Sequence, residues 1–187
     1  SSDLVTNFFY LSHFMSPVLL SMLLWRHDRS KYWAFAWGLV ALSYAAFATY
    51  LLFPAVPPWW ATRYGYMVVE PVSLSHFAIS ADQVARAANP VAAMPSLHTA
   101  YPTYFTFVAL SVWGRRALPV IALPVCVAFS TYYLGHHWVI DSMVGVVYAF
   151  VAFGTVFLYL KHRHITMAWL GQLTRTSPVP RTHQTHH

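Results

Sequence analysis

Five long apolar runs alternate with short polar connections along the chain. Each run approaches the roughly 20 mostly apolar residues that a membrane-spanning helix needs. Prolines occur inside some of the runs, and bundled membrane helices tolerate them because neighbouring helices satisfy the freed carbonyl groups. The pattern therefore predicts an all-α, polytopic membrane helix bundle. The predicted spans are Leu4–Trp25, Tyr32–Phe53, Leu97–Trp113, Ala117–Leu134 and Ile140–Leu160.

The composition is that of a membrane protein rather than a soluble enzyme. Hydrophobic residues make up 58% of the 187 positions and charged residues only 9%, against about 45–50% and about 25% in ordinary soluble domains. So few charged side chains do not cover the surface of a soluble globule, and so many apolar ones exclude a disordered chain. The length fits one domain. The lone cysteine, Cys126, forms neither an intrachain disulfide nor, by itself, a metal site.

Basic residues are distributed unevenly between the two sides that the spans define. Nine of the 11 Lys and Arg residues follow the first, third or fifth span or lie in the tail, and alternating topology places all nine on one face. An excess of Lys and Arg marks the cytoplasmic side, so this face and the C-terminus are predicted to be cytoplasmic. The sequence shows no basic groove with interleaved aromatics, as nucleic-acid binding would need, so the bilayer is the expected partner.

The long connection Pro54–Pro95 is predicted to lie on the opposite, extracytoplasmic or lumenal face. Its prolines argue against one continuous helix. Apolar residues recur at helical spacing over Ser73–Ala88, which predicts a short amphipathic helix that either lies at the membrane interface or packs as a cap over the bundle. Residues 1–170 are expected to form a single membrane-embedded domain, and the polar residues 171–187 a disordered cytoplasmic tail.

An imidazole and a carboxylate occur four residues apart at the start of the fifth span, at His137 and Asp141. Ionisable residues at membrane depth are costly, which makes each one a functional hypothesis. On a helix this spacing places both side chains on one face, where the carboxylate would fix the tautomer of the imidazole. The alternative is a buried ion pair that only holds helices together.

A second histidine, His98, lies at the start of the third span, two residues after the potential N-cap residue Ser96. Helix N-termini attract phosphate through free amides and the helix dipole; the alternative is a capped helix with an interfacial histidine. The topology puts His98 and His137 on the same face. Two histidines, one supported by Asp141, beside a helix N-terminus predict phosphoryl transfer: one attacks phosphorus and the other protonates the leaving oxygen, without a metal.

At these residues the chain resembles the type 2 phosphatidic acid phosphatase superfamily. The second motif of that family is Pro-Ser-Gly-His, and Pro95-Ser96-Leu97-His98 match it here. The third motif is Ser-Arg, then His after five residues and Asp after three more. It is matched by Ser130-Thr131, His137 and Asp141. Further strings resemble the inositolphosphotransferase branch, which includes inositolphosphorylceramide synthases. They are Asn7-Phe8-Phe9-Tyr10 with His13-Phe14, Phe53–Trp60, Met94–His98 and Gly135-His136-His137.

The resemblance implies a catalytic domain over residues 1–170 in which His137 is the nucleophile, Asp141 orients it and His98 is the general acid. It also implies that Ser96 donates to the phosphate and that neither a metal nor another cofactor takes part. The family core has six helices against five spans here, which implies that one helix is missing before Ser1.

The chain departs from the family where the phosphate is held. The first motif, Lys, six residues and Arg-Pro, has no counterpart, and Thr131 and Leu97 replace the Arg of the third motif and the Gly of the second. Arg63 is the first candidate to replace the missing cations, ahead of Arg86 and His136. His13, in the middle of the first span, is a candidate pocket-lining residue. The predicted substrate-binding residues are Ser96, Arg63, His136 and His13.

Three functional classes stay open. The first is an integral-membrane enzyme that moves a phosphate or a phosphorylated headgroup of a phospholipid or lipid phosphate; water as acceptor makes it a phosphatase and a hydroxyl makes it a transferase, which the inositolphosphotransferase-like strings favour. The second is a metal- or haem-binding membrane protein with ligands such as His98, His136, His137 and Asp141. The third is a non-catalytic lipid-binding or scaffold subunit. Nothing in the sequence indicates an oligomeric state.

Overall fold

A computed structural model of the protein describes residues 2–62, 64–65 and 89–175. Within these ranges the chain is helical, with a single isolated β-bridge, so the predicted all-α class is confirmed. Gly114–Ile121 form a 3₁₀ helix. The α-helices are α1 Ser2–His27, α2 Arg29–Leu52, α3 Pro58–Thr62, α4 Leu97–Trp113, α5 Ala122–Tyr133 and α6 Val139–Arg175.

Four helical segments of the described chain are long and apolar enough to cross a membrane, which confirms the predicted polytopic bundle. The third of them, Leu97–Tyr133, covers two of the predicted spans, except for the last residue of the second, Leu134. It reverses direction at Gly114, where φ is +57°, and α4 then packs against both the 3₁₀ helix and α5. The four segments are Leu4–His27, Arg29–Leu52, Leu97–Tyr133 and Val139–Val156.

The predicted fourth span begins as a 3₁₀ helix rather than an α-helix, which first appears at Ala122. Proline explains the difference. Pro119 and Pro124 lack the N–H groups that would close α-helical bonds to the residues four positions before them. The tighter 3₁₀ pattern is common next to helix ends.

The last helix is longer than predicted, because α6 continues through Arg175. The first residues of the predicted disordered tail, from Gly171 to Arg175, are therefore helical. No proline occurs between Val139 and Pro178, and each added residue extends a formed helix with one hydrogen bond. At about 1.5 Å per residue α6 is about 55 Å long, well beyond the roughly 30 Å hydrocarbon core. Residues 176–187 lie outside the described chain.

Helix α4 occupies the middle of the bundle and contacts α1, α2, α5 and α6. Small residues bring its neighbours close, as is usual between membrane helices. At Gly145 of α6 a Cβ atom would lie 2.6 Å from the backbone oxygen of Ser96, so only glycine fits this approach. The largest side chains of the buried core lie further along the helices and include Leu20, Leu24, Phe35, Leu42 and Tyr104.

Two pieces of the long connection cross one end of the bundle. Ala55 pairs with the 89–93 segment, since its N–H donates to Val91 O and its own oxygen accepts from Ala93 N–H at 3.0 Å. The backbone N–H of Trp59 donates to Gly135 O at 3.1 Å. These bonds tie together the loops that precede α4 and α6. The predicted amphipathic helix Ser73–Ala88, and with it Arg86, lies outside the described residues.

Candidate active site

Two histidines that are distant in sequence meet at this end of the bundle. His98 Nδ1 lies 2.9 Å from His137 Nε2, within hydrogen-bonding distance. The centroids of the two rings are 5.0 Å apart. The two imidazoles therefore converge in the structure, as predicted. They contact each other directly instead of being separated by a phosphate.

The start of α4 places His98. Ser96 is the N-cap residue of α4, and its side chain accepts a hydrogen bond from the backbone N–H of Thr99, as the sequence predicted. The backbone N–H of Ser96 in turn donates to Asp141 O at 2.9 Å. The first turn of α4 is thereby attached to the first turn of α6, and Ser96 is fully buried.

A glycine turn at the end of α5 places His136 and His137. Gly135 has φ +68°, its N–H donates to Tyr132 O, and the N–H of His136 donates to Thr131 O. These two bonds form the Schellman motif, whose left-handed position favours glycine. The chain leaves α5 sharply here, so that the imidazole of His137 turns back toward α4.

His137 and Asp141 do not share a helix, contrary to the prediction, because α6 begins only at Val139. They are nevertheless neighbours. Asp141 Oδ2 accepts the backbone N–H of Trp138 at 2.8 Å and lies 3.5 Å from His137 Nδ1. A carboxylate at the third helical position that reaches back to the N-cap N–H is one half of a capping box. Asp141 therefore both caps α6 and places its charge beside the imidazole.

The closest partner of His137 Nδ1 is a backbone group, the carbonyl of Ala93, at 2.9 Å. A carbonyl only accepts hydrogen bonds, so Nδ1 carries the proton in the neutral imidazole and Nε2 has the free lone pair. Ala93 is itself held by the bond from its N–H to Ala55 O. Sequence reasoning missed this contact, since a backbone carbonyl leaves no signal in residue type.

Helix α1 contributes Tyr10 and His13 to the same cluster. The hydroxyl of Tyr10 lies 3.1 Å from His98 Nε2, and its ring stacks on His98 and on His136 at centroid distances of 4.8 and 4.9 Å. His13 donates from Nδ1 to the carbonyl of Tyr10, and its ring centroid is 4.1 Å from that of His98. Tyr10 was not predicted as a site residue, and its spacing of three from His13 was the available signal.

One turn before Tyr10, a buried amide has no hydrogen-bond partner in the described chain. Asn7 is fully buried, and both polar atoms of its side chain are unpaired. An unpaired buried polar group costs roughly 1–3 kcal/mol. Because residues three apart on a helix are neighbours, Asn7 lies next to Tyr10 on α1. It is the described group with the most unused hydrogen-bonding capacity near the site.

The family follows from comparison with known proteins. A sequence model of the PAP2 superfamily matches residues 2–155. The chain belongs to the PAP2 superfamily. This is a family of membrane phosphatases and phosphotransferases of lipid metabolism, and membership confirms the resemblance seen in the motifs.

Two individual proteins are similar to this chain in sequence. The PAP2 chain is 30% identical over 164 residues to a phosphoinositol dihydroceramide synthase of Bacteroides thetaiotaomicron, covering 78% of this chain and 52% of the synthase. An uncharacterized protein of Methanocaldococcus jannaschii is 35% identical over 67 residues, which are 35% of this chain and 27% of that protein. The chain thus spans about half the length of the synthase it matches. No solved structure matches it significantly.

Most of the predicted site residues of this PAP2 protein come together in the structure. Arg63 is the exception, because it lies outside the described residues. Among the residues that are described, no three His, Cys, Asp or Glu side chains are arranged to hold a metal ion. The residues that do come together are His98, His137, Asp141, Ser96, His136 and His13.

Burial and the neighbouring His137 lower the pKa of His136 to about 4. The folded protein therefore keeps this ring neutral at physiological pH, since removing a charged imidazole from water is unfavourable. A neutral ring stacked on Tyr10 is a hydrogen-bonding group rather than a cation.

Acidification is expected to destabilise the fold through His136. Between about pH 6.5 and about 4 the unfolded chain takes up a proton at this ring and the folded protein does not, so stability falls as the pH falls through that window. Thermal unfolding midpoints in detergent, compared at about pH 7 and about pH 5, should fall less in His136→Gln than in the wild type. Equal falls in both proteins would contradict this assignment.

Proposed function

We propose that this PAP2 protein transfers a phosphorylated headgroup from one membrane lipid to a hydroxyl acceptor through a phosphohistidine on His137. The observation that carries the proposal is the approach of His137 Nε2 to His98 Nδ1 at 2.9 Å. A nucleophile with a free lone pair thereby faces a group that can hold or release a proton. His137 is only 7% exposed, as a water-sensitive intermediate requires.

In the first step His137 Nε2 attacks phosphorus, and the bond between phosphorus and the lipid oxygen breaks. His98 enters this step as an imidazolium protonated on both nitrogens and gives the proton of Nδ1 to that oxygen, which leaves as a neutral alcohol. The headgroup phosphate is now bound to His137. In the second step the acceptor hydroxyl gives its proton to His98 Nδ1 and attacks phosphorus, and the N–P bond breaks. Water in place of the hydroxyl gives the phosphatase reaction with the same residues.

The direct contact between the imidazoles must open for this chemistry. Reacting atoms in a near-attack arrangement lie about 3–3.5 Å apart, and a further hydrogen bond of about 2.7–3.2 Å must join the leaving oxygen to the acid. Both distances have to fit between two nitrogens that are now 2.9 Å apart. The substrate therefore replaces the bond between His98 and His137 and separates the rings.

Phosphate ligands are proposed at the start of α4. The first amides of a helix and its dipole favour an anion, and the Ser96 hydroxyl lies at this position. Arg63 is proposed as the cation that compensates the phosphate charge, since the lysine and arginine positions of the family are not preserved. His136 is proposed to contact the substrate as a neutral ring.

The polar groups on α1 favour a polyol headgroup. The carbonyl of Tyr10 fixes the proton of His13 on Nδ1, so His13 Nε2 accepts and does not donate. Phosphate oxygens also only accept, whereas a sugar-alcohol hydroxyl both donates and accepts. Hydroxyls therefore suit His13 Nε2 and the unpaired amide of Asn7. The similarity to a phosphoinositol dihydroceramide synthase supports a phosphoinositol headgroup and a ceramide-like acceptor.

The charge distribution supports an extracytoplasmic or lumenal site and a cytoplasmic C-terminus. The ends of α1 and α4 opposite the site meet where His27 contacts Trp113. Basic residues concentrate around this contact, as the positive-inside rule expects of the cytoplasmic side. They are Arg26, Arg29, Lys31, Arg115 and Arg116.

Product analysis tests the transfer. The purified protein is mixed with phosphatidylinositol vesicles, with and without dihydroceramide, and the products are identified by mass spectrometry. Transfer should give inositolphosphorylated dihydroceramide and diacylglycerol in equal amounts, and a chelator should not slow it. Release of phosphate from phosphatidic acid without any transfer would favour the phosphatase. Activity that is lost in chelator and restored by a metal would contradict the metal-free scheme.

A further inference from the structure

We propose that Tyr10 is a positioning residue that sets which nitrogen of His98 exchanges protons with the substrate. The inference deepens the proposed function and rests on it. The Tyr10 hydroxyl lies 3.1 Å from His98 Nε2, on the far side of the ring from His137. His98 Nδ1 is thus available for the reaction, and His98 Nε2 is bonded to the hydroxyl of Tyr10.

The hydrogen bonds run in one direction from Tyr10 to the backbone. The Ala93 carbonyl can only accept, so His137 Nδ1 donates to it and His137 Nε2 accepts from His98 Nδ1. The neutral His98 ring then has a lone pair on Nε2, which accepts the Tyr10 O–H. The series of bonds places the His98 proton on the nitrogen that faces the nucleophile.

A phenol suits every protonation state that His98 passes through. When His98 is the charged acid, Nε2 carries a proton and the Tyr10 oxygen accepts it. After Nδ1 has given its proton to the leaving oxygen, Nε2 keeps its own, and Nδ1 is free to take the proton of the acceptor. A hydroxyl both donates and accepts, so Tyr10 stays bonded to Nε2 throughout and Nδ1 remains the reacting nitrogen.

Aromatic stacking holds this hydroxyl in place. The Tyr10 ring stacks on both His98 and His136, with interplanar angles of 23° and 25°. Its carbonyl accepts the bond from His13. One residue of α1 therefore contacts three of the four histidines at the site, and phenylalanine at position 10 would keep the stacking but lose the hydroxyl.

Tyr10→Phe should slow only the reaction that needs the general acid. With phosphatidylinositol, kcat should fall about 10–100-fold, which is less than the roughly 100–10,000-fold that a general acid contributes, because His98 itself is still present. KM should change less than about twofold. With the 4-nitrophenyl ester of inositol phosphate, whose leaving group needs no proton, nucleophile labelling and the 4-nitrophenol burst should stay within about threefold of wild type. Equal losses with both substrates would mean a structural role and overturn the proposal, as would no loss with either.

Two further proteins keep the test decisive. Tyr104→Phe removes a buried hydroxyl that bonds Phe35 O away from the site, and it should leave the rates with both substrates unchanged. Difluorotyrosine at position 10 keeps the ring and the hydroxyl but weakens the hydroxyl as an acceptor, so it should slow the phosphatidylinositol reaction less than phenylalanine does. A rate equal to that of Tyr10→Phe would contradict this role.

A different result would overturn phosphoinositol transfer without testing Tyr10, namely wild-type protein that is inert toward phosphatidylinositol but active on phosphatidic acid. In that case wild type and Tyr10→Phe are compared with phosphatidic acid and 4-nitrophenyl phosphate instead, and this comparison tests the role of Tyr10.

Discussion

His137→Ala is expected to abolish turnover while the protein still folds. The variant removes Nε2, the nitrogen with the free lone pair opposite His98, and no N–P bond can form. Loss of one member of a catalytic group of this kind lowers kcat by about 10,000-fold or more. Turnover is measured with phosphatidylinositol and dihydroceramide. The intermediate is measured as an acid-labile phosphorus label on the denatured protein, which should be present in wild type and absent from the variant.

His98→Ala and Asp141→Asn complete this experiment. His98→Ala should lose turnover of the lipid but retain labelling by the 4-nitrophenyl ester, because formation of the N–P bond does not require the acid when the leaving group is good. Asparagine at position 141 keeps an oxygen that can accept the Trp138 N–H and removes only the charge. A loss of turnover in Asp141→Asn would therefore result from loss of the negative charge beside His137, and not from loss of the hydrogen bond that caps α6.

His27→Ala is the matched control. His27 is exposed at the opposite end of α1 and contacts Trp113, so this variant should retain the wild-type rate. Wild-type turnover in His137→Ala would remove His137 as the nucleophile. A label that persists in that variant would assign the covalent intermediate to another residue.

Much of this architecture was predictable because a membrane restricts the secondary structure and the topology that a chain can adopt. Apolar runs must become helices in a bilayer, and helices that cross it must alternate in direction. This alone places His98 and His137 on one face, although 39 residues separate them. The pairing of Ser96 with a helix start followed from its capping chemistry.

What the sequence did not predict depends on backbone groups and on contacts between distant helices. The Ala93 carbonyl that holds His137 can belong to any residue type. The contact between Tyr10 and His98 requires a particular rotation of α1 against α4, which no local pattern specifies. His137 was expected on a helix with Asp141, but the glycine turn at Gly135 directs it before α6 begins.

Gly145→Ala is expected to lower activity strongly although the residue touches no proposed catalytic side chain. The added Cβ would lie 2.6 Å from the Ser96 oxygen, closer than atoms can approach. This oxygen belongs to the backbone at the N-cap of α4, where the N–H of Ala100 donates to it at 2.9 Å, so it cannot rotate away. Helices α4 and α6 must separate by several tenths of an ångström or more. A misplacement of about 1 Å can cost about 100-fold in rate, so kcat should fall by about 10–100-fold.

The displacement would reach the site through the bond between Ser96 N–H and Asp141 O. Asp141 lies four residues before Gly145 on α6, and Ser96 begins the turn that carries His98. Pushing the helices apart therefore moves His98 away from His137 and weakens the arrangement on which both proton transfer and attack depend. Activity should fall even where enough protein remains folded to be purified.

Gly154→Ala provides the comparison on the same helix. A Cβ atom at Gly154 meets no atom within 4 Å, and alanine is favoured over glycine in a helix by about 1 kcal/mol. This variant should be as active as wild type and at least as stable in thermal unfolding. If Gly145→Ala behaved in the same way, the close contact between α4 and α6 would not be what holds the two histidines together. A loss of activity in Gly145→Ala but not in Gly154→Ala would instead show that the close approach at Gly145 maintains the geometry of the site.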